Sequence, residues 1–135
     1  MTKYNARNTV IDGIKFDSKA EGQYYLYLQG KVDTGEIAGF SLQPSFILQE
    51  AFEKAGKKFR KIEYLADFEI VHLNGEVEII DVKGFETPDF KIKRKLFEKK
   101  YPYTLTLVKY VKKFGGWIST DEWKRLKREE KKVSK

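Results

Sequence analysis

Asp67 and the run Asp81-Val82-Lys83 are the residues whose types and spacing could do chemistry: two carboxylates that offer hard oxygen ligands, and a lysine beside them. They sit in YLADFEIVHLNGEVEIIDVK, Tyr64 to Lys83, which reads as two strands joined by a tight turn. In the first strand Tyr64, Ala66, Phe68 and Ile70 share one face, while Leu65, Asp67, Glu69 and Val71 share the other. In the second, Ile79, Asp81 and Lys83 lie opposite Glu78, Ile80 and Val82. The turn decides whether the carboxylates meet. A two-residue Asn74-Gly75 loop would set Asp67 across from Val82, with the carboxylates on opposite sides of the sheet. A loop of Leu73, Asn74 and Gly75, with Gly75 left-handed, pairs His72 with Glu76 and sets Asp67 across from Asp81.

Like charges directly opposite in a sheet repel, and more strongly where water is excluded. Such a pair calls for positive charge. Lys83 is one candidate; a divalent cation is the other, since magnesium takes one or two protein carboxylates and fills its remaining positions with water and phosphate oxygens. A lone Asp-x-Lys is common and would suit an ordinary solvated sheet face. The upstream Asp67, brought into register by the loop, is what raises it above that.

With Gly84 and a basic helix following, this arrangement resembles the core of the PD-(D/E)XK nuclease superfamily. The closer likeness is to phage-borne Holliday-junction-resolvase-like endonucleases, carried by YLADF, IIDVKGFETPDFKIKRKLFEKKYP and the opening SKAE. It spans about Lys3 to Trp123, with Ala66 where the superfamily's proline would stand and Asp81 where glutamate is commoner; both variants are tolerated there. The resemblance implies a restriction-endonuclease-like α/β core with a mixed central β-sheet flanked by helices, whose middle is the Asp67 and Asp81 hairpin. It implies a magnesium site, with manganese as a substitute, built from Asp67, Asp81, the Val82 carbonyl and a glutamate of the first helix, here Glu21. Lys83 would then orient or activate the attacking water. The expected function is metal-dependent hydrolysis of DNA phosphodiesters in branched DNA, performed by a homodimer in the bacterial cytoplasm. A nuclease of linear duplex or flap DNA, and a non-catalytic basic accessory protein, are the alternatives.

Glu21 has a second, purely structural reading. Ser18-Lys19-Ala20-Glu21 matches a capping box, in which Ser18 bonds the Glu21 amide and the glutamate reaches back. Glu21 also begins the stripe Tyr24, Tyr25, Leu28 and Val32 that should face the core. A buried carboxylate needs a partner, so cap and ligand both remain open and are compatible.

Charge and composition set the frame. At 135 residues with 41% hydrophobic content the chain suits one packed domain, and no apolar run approaches the roughly 20 residues that cross a membrane. The opening MTKYNARNTV lacks the apolar core of a secretory signal, and there is no cysteine for disulfides or thiolate metal sites. An intracellular setting is expected. The net charge of +7 is concentrated: Lys91 to Lys100 carries six basic residues against Glu98, and Lys124 to Lys135 carries seven against Glu129 and Glu130. Such clustering suits a polyanion, although basic tails also serve solubility.

The remaining elements position these groups. Residues 1 to 9 read as a flexible arm, Val10 to Phe16 as a short hairpin turning at Asp12-Gly13, and Phe40 to Phe52 as an extended segment whose Phe46 and Leu48 add a strand to the central sheet. Glu53 to Lys61 reads as a basic loop with Gly56 at its tip. His72, at the strand end, reads as a surface residue. Thr87-Pro88 opens a helix with Phe90, Leu96 and Phe97 on its apolar side and Ile92 at the margin. Lys91, Lys95 and Lys99, flanked by Arg94, form a basic ridge for the phosphates of DNA. Tyr103 to Tyr110 reads as a strand parallel to the one carrying Asp81. A last helix opens at Ser119 or Thr120, docks through Trp123 and Leu126, and frays past Arg128 into a basic flexible tail over residues 129 to 135.

Overall fold

The computed structural model describes residues 8–82 and 86–133. A short hairpin, β1 (Thr9–Ile11) and β2 (Ile14–Phe16), precedes helix α1 (Lys19–Asp33). Six strands follow: β3 (Ile37–Leu42), β4 (Ser45–Gln49), β5 (Phe52–Lys54), β6 (Lys57–Phe59), β7 (Ile62–Leu65) and β8 (Phe68–His72). Then come β9 (Val77–Val82), helix α2 (Pro88–Lys100), β10 (Thr104–Val111), β11 (Gly116–Ser119) and helix α3 (Thr120–Val133). The protein is α/β, with a mixed five-stranded central sheet in the order β11-β10-β9-β8-β3. Among the described residues only the β9–β10 pair is parallel, and α2 makes the crossover.

Each face of the sheet has its own core. On one, Tyr24, Tyr25 and Leu28 of α1 pack with Phe68, Ile70, Ile80 and Val108. On the other, Phe90 and Phe97 of α2 pack with Ile79, Leu105 and Leu107, together with Phe46 and Tyr64. The period of two in β9 explains this division: Ile79 and Ile80, both buried, serve opposite layers. Val32, read as part of the core stripe of α1, instead lies exposed at its margin. Ile92 of α2 is likewise exposed.

The helix starts follow local chemistry. Ser18 accepts from the Glu21 amide at 3.2 Å, Thr87 from the Phe90 amide at 3.1 Å with Pro88 at the first position, and Ser119 from the Glu122 amide at 3.1 Å. Ser119 rather than Thr120 is thus the cap of α3. A Cβ on Gly22 would come within 2.9 Å of Ile11 Cδ1, so the β1–β2 hairpin rides directly on the first turn of α1.

Two expectations are corrected in the stretch before the Asp67 hairpin. The strand containing Phe46 and Leu48 does not join the central sheet; β3 does, by pairing with β8. β4 pairs instead with β7, outside that sheet. The residues read as a basic loop form the β5–β6 hairpin, turning at Ala55 and Gly56, both with positive φ. The pairing registers Leu42↔Phe68 and Ser45↔Leu65 are continuous, so β3 to β8 form one long antiparallel ribbon interrupted by a bend. At the bend Gln43 adopts φ 49° and Pro44 has no amide to give to a ladder. Backbone bonds still cross it, from Gln43 N to Asp67 O at 2.9 Å and from Ala66 N to Pro44 O at 3.0 Å.

The bend also corrects the facial pattern of Tyr64 to Ile70. Those four alternate residues are buried, but Tyr64 and Ala66 enter the core under α2 while Phe68 and Ile70 enter the core under α1. A single straight strand cannot do that. At the other end, α3 continues to Val133, so residues 129–133 extend a helix instead of leaving it at Arg128. An Arg125–Glu129 ion pair and a Lys113–Glu130 contact support it where an apolar stripe does not. None of its residues is buried; Trp123 and Leu126 are half-buried, and Trp123 lies under the Lys109 ammonium, 3.7 Å from its ring centre. The proposed N-terminal arm falls outside the described residues up to position 7, while Thr9 is already in β1.

Candidate metal and active site

The hairpin loop has the length that brings the carboxylates together. β8 and β9 pair in the register Phe68↔Ile80 through Val71↔Val77, His72 N donates to Glu76 O at 2.9 Å, and Gly75 takes φ 89°. The same register sets Asp67 opposite Asp81, one residue past the last ladder pair of β8. Asp67 is tied there by its own amide, which donates to Ile80 O at 3.1 Å, and by the Val82 amide, which donates to Asp67 Oδ2 at 2.8 Å.

The result is no solvated sheet face. Asp81 is 1% exposed, in the middle strand of the sheet. Its Oδ2 accepts from the hydroxyl of Tyr64, and it shares a hydrogen bond with the Asp67 carboxyl. Burial pushes the Asp67 pKa up to about 9, helped by the Asp81 charge, the shared hydrogen bond and the charge of Glu21, and opposed by the Val82 amide. Without a cation, therefore, the pair retains a proton at neutral pH.

Glu21 enters through this electrostatic coupling to Asp67. Its amide donates to Ser18, so the capping half of its role is present, while its charge raises the Asp67 pKa. Among the described residues, no three His, Cys, Asp or Glu side chains gather closely enough to enclose a metal ion by themselves. Two carboxylates supply only part of a coordination shell, as is usual for magnesium, whose other positions are filled by water and substrate. Their buried like charges fit a hard divalent cation in place of the retained proton. Lys83 lies outside the described residues.

Tyr64 was not singled out as a site residue, and it belongs here. With the strand taken as straight it falls on the face away from Asp67; the bend at Ala66 carries it over Asp81. Burial and the two aspartates push its pKa well above the usual tyrosine value, while Arg94 pulls it down. Its hydroxyl therefore stays protonated and donates. Tyr64→Phe would leave a buried carboxylate short of a donor. A loss of about 1–3 kcal/mol in stability, read by urea unfolding, is expected; a change within a few tenths would remove Tyr64 from the site.

Of the ridge on α2, Lys91, Lys95 and Lys99 are exposed and make no ion pair among the described residues. Arg94 is half-buried, 3.7 Å from Glu98, and its charge reaches Tyr64. Lys93 and Lys100 are engaged, with Asp89 at 4.0 Å and the Ile47 carbonyl at 2.8 Å. His72 pairs with Glu78 at 2.8 Å, and Glu78 also accepts from Thr106 at 2.6 Å; this cluster stands at the turn end of the hairpin, away from Asp81.

Residues 1–116 match the model of a family described as a protein of unknown function, DUF1064. The chain belongs to the DUF1064 family. Its matched stretch includes Glu21, Tyr64, Asp67, Asp81 and all of α2, and ends where β11 begins. No curated protein matches the chain, and no solved structure does. No helix among the described residues is long and apolar enough to cross a membrane.

Proposed function

We propose that this DUF1064 protein is a magnesium-dependent DNA endonuclease with a restriction-endonuclease-like core, acting on branched DNA. The observation that carries the reading is the pair Asp67 and Asp81, held opposite each other by the hairpin register with one of them fully buried. Burying two like charges is costly unless a cation or proton occupies the site, and structural economy alone would favour an apolar pair there.

Asp67, Asp81, the Val82 carbonyl and Glu21 would hold magnesium, or manganese in its place. The bound ion would supply Lewis-acid charge at the scissile phosphate and lower the pKa of a water. Tyr64 orients Asp81 by donating to it, and the Val82 amide orients Asp67 in the same way. Lys83, two positions beyond Asp81 in the sequence, is assigned the attacking water and the scissile phosphate, because neighbouring charges can tune a lysine for either role. Lys91, Lys95 and Lys99 would neutralise flanking phosphates, and the homodimer implied by the nuclease likeness would make paired cuts.

The test is incubation with a synthetic four-way junction and a linear duplex of matched sequence, in magnesium or EDTA. Cuts confined to the junction and to magnesium are expected. Equal cutting of both substrates would leave a nuclease without branch preference. Tight binding with no cutting in magnesium or manganese would replace the enzyme by a DNA-binding accessory protein.

A further inference from the structure

The β5–β6 hairpin is the outermost part of the long ribbon, and nothing in the site described above uses it. Every residue from Gln49 to Lys61 is exposed. At ~3.3 Å per residue, the ribbon from Gln49 to its turn reaches roughly 20 Å. This arm has two dissimilar faces. Cross-strand pairing sets Phe52 against Phe59 and Lys54 against Lys57 on one side, and Glu53 against Lys58 on the other.

The first face is unusual for a surface. Phe52 and Phe59 are 45% and 38% exposed, and their rings stack with centroids 4.7 Å apart at 12°. Immediately beyond them two lysines stand directly opposite each other, with the Lys57 ammonium 5.7 Å from the Phe59 ring centre. Like charges in cross-strand register are unfavourable without an anion between them. From Glu53 to Lys61 the segment carries five basic residues against one acid, a net +4. That charge opposes contact with a second copy of the same tip and suits a polyanion.

We propose that the β5–β6 arm is a DNA-binding element, with Lys54 and Lys57 on backbone phosphates and the Phe52–Phe59 pair against bases unstacked at a branch point. The inference deepens the nuclease reading and rests on it for the choice of DNA. A two-stranded ribbon is narrow enough for the DNA major groove, about 12 Å wide, and exposed aromatic faces bind unstacked bases regardless of sequence. An intact duplex offers no such base. The arm would therefore supply branch preference, while α2 supplies phosphate contacts common to both substrates.

Fluorescence anisotropy in EDTA, with a four-way junction and a matched duplex, tests this without cleavage. The variant F52L/F59L keeps an apolar cross-strand pair but loses the flat rings, and thermal melts check that it folds like the wild type. It is expected to weaken junction binding about tenfold, within the range of one lost base stack, and to leave duplex binding unchanged. K54Q/K57Q should weaken both substrates and reduce the slope of log K against log salt by about 2. Wild-type affinity in both variants would overturn the arm. So would light scattering that shows F52L/F59L splitting a dimer while DNA affinity is unchanged, which would make the face a contact between copies. If the variants bind like the wild type and the protein still cuts in magnesium, only the arm fails. If they lose binding but the wild type never cuts, only the catalytic reading fails. A wild type that binds neither DNA refutes both.

Discussion

Asp81→Asn is expected to reduce magnesium-dependent cleavage by about 10²–10³-fold, the scale of loss when one charge-stabilising group is removed from a preorganised site. The substitution keeps the shape of the side chain and an oxygen that can accept from Tyr64, so the buried position should remain packed. It removes the charge that would hold the metal. DNA binding in EDTA should be equal to or slightly tighter than that of the wild type, because a carboxylate near the phosphates has been neutralised. Loss of cleavage together with DNA binding would point to misfolding. Cleavage within tenfold of wild type would take Asp81 out of the catalytic centre. Lys83→Ala should match Asp81→Asn in losing cleavage, again with binding in EDTA preserved.

The second large effect concerns stability and pH. Asp67 has a folded-state pKa raised to about 9, whereas in the unfolded chain it titrates near the ordinary carboxylate value. Between those two values the folded protein binds more protons than the unfolded one, so stability falls as pH rises through that window and levels off above it. One such proton contributes a slope of at most about 1.4 kcal/mol per pH unit. For a domain of this size that amounts to roughly 3–6 °C in Tm per unit. In EDTA, the wild type should therefore lose thermal stability between pH 5 and pH 8 relative to Asp67→Asn, whose amide has no proton to lose. Magnesium should restore the wild type at the upper end, since a bound cation stabilises the ionised pair, and should do little for the variant. Parallel Tm-against-pH curves for the two proteins would show that Asp67 is not held in the protonated state.

What could be read before the structure was local. The register of the Asp67 hairpin follows from a loop length and a period of two, both confined to Tyr64 to Lys83, and the starts of the three described helices follow from Ser18, from Thr87-Pro88 and, to within one residue, from Ser119-Thr120. The break in the ribbon was not readable in the same way. It depends on Gln43 taking a left-handed conformation that no glycine announces, and on Ala66 and Asp67 facing it across a pairing 24 residues apart in sequence, which a local periodicity cannot specify. Three misreadings follow from that one feature: the placement of the Phe46 strand, the single face assigned to Tyr64 through Ile70, and the omission of Tyr64 from the site. The β5–β6 arm was seen as charge but not as structure, because three-residue strands leave too short an alternation to distinguish from a loop. The length of α3 was missed for another reason, since its end is supported by ion pairs rather than by an apolar stripe.

The site is expected to work by exchange, the Asp67–Asp81 pair giving up a proton for a divalent cation. Calorimetric titration of the wild type and Asp67→Asn with manganese at pH 7, in two buffers of different ionisation enthalpy, measures metal binding and proton release together. The wild type should bind with about one proton released per ion, and the variant should lose both. Equal binding by both proteins, or binding with no proton released, would contradict it.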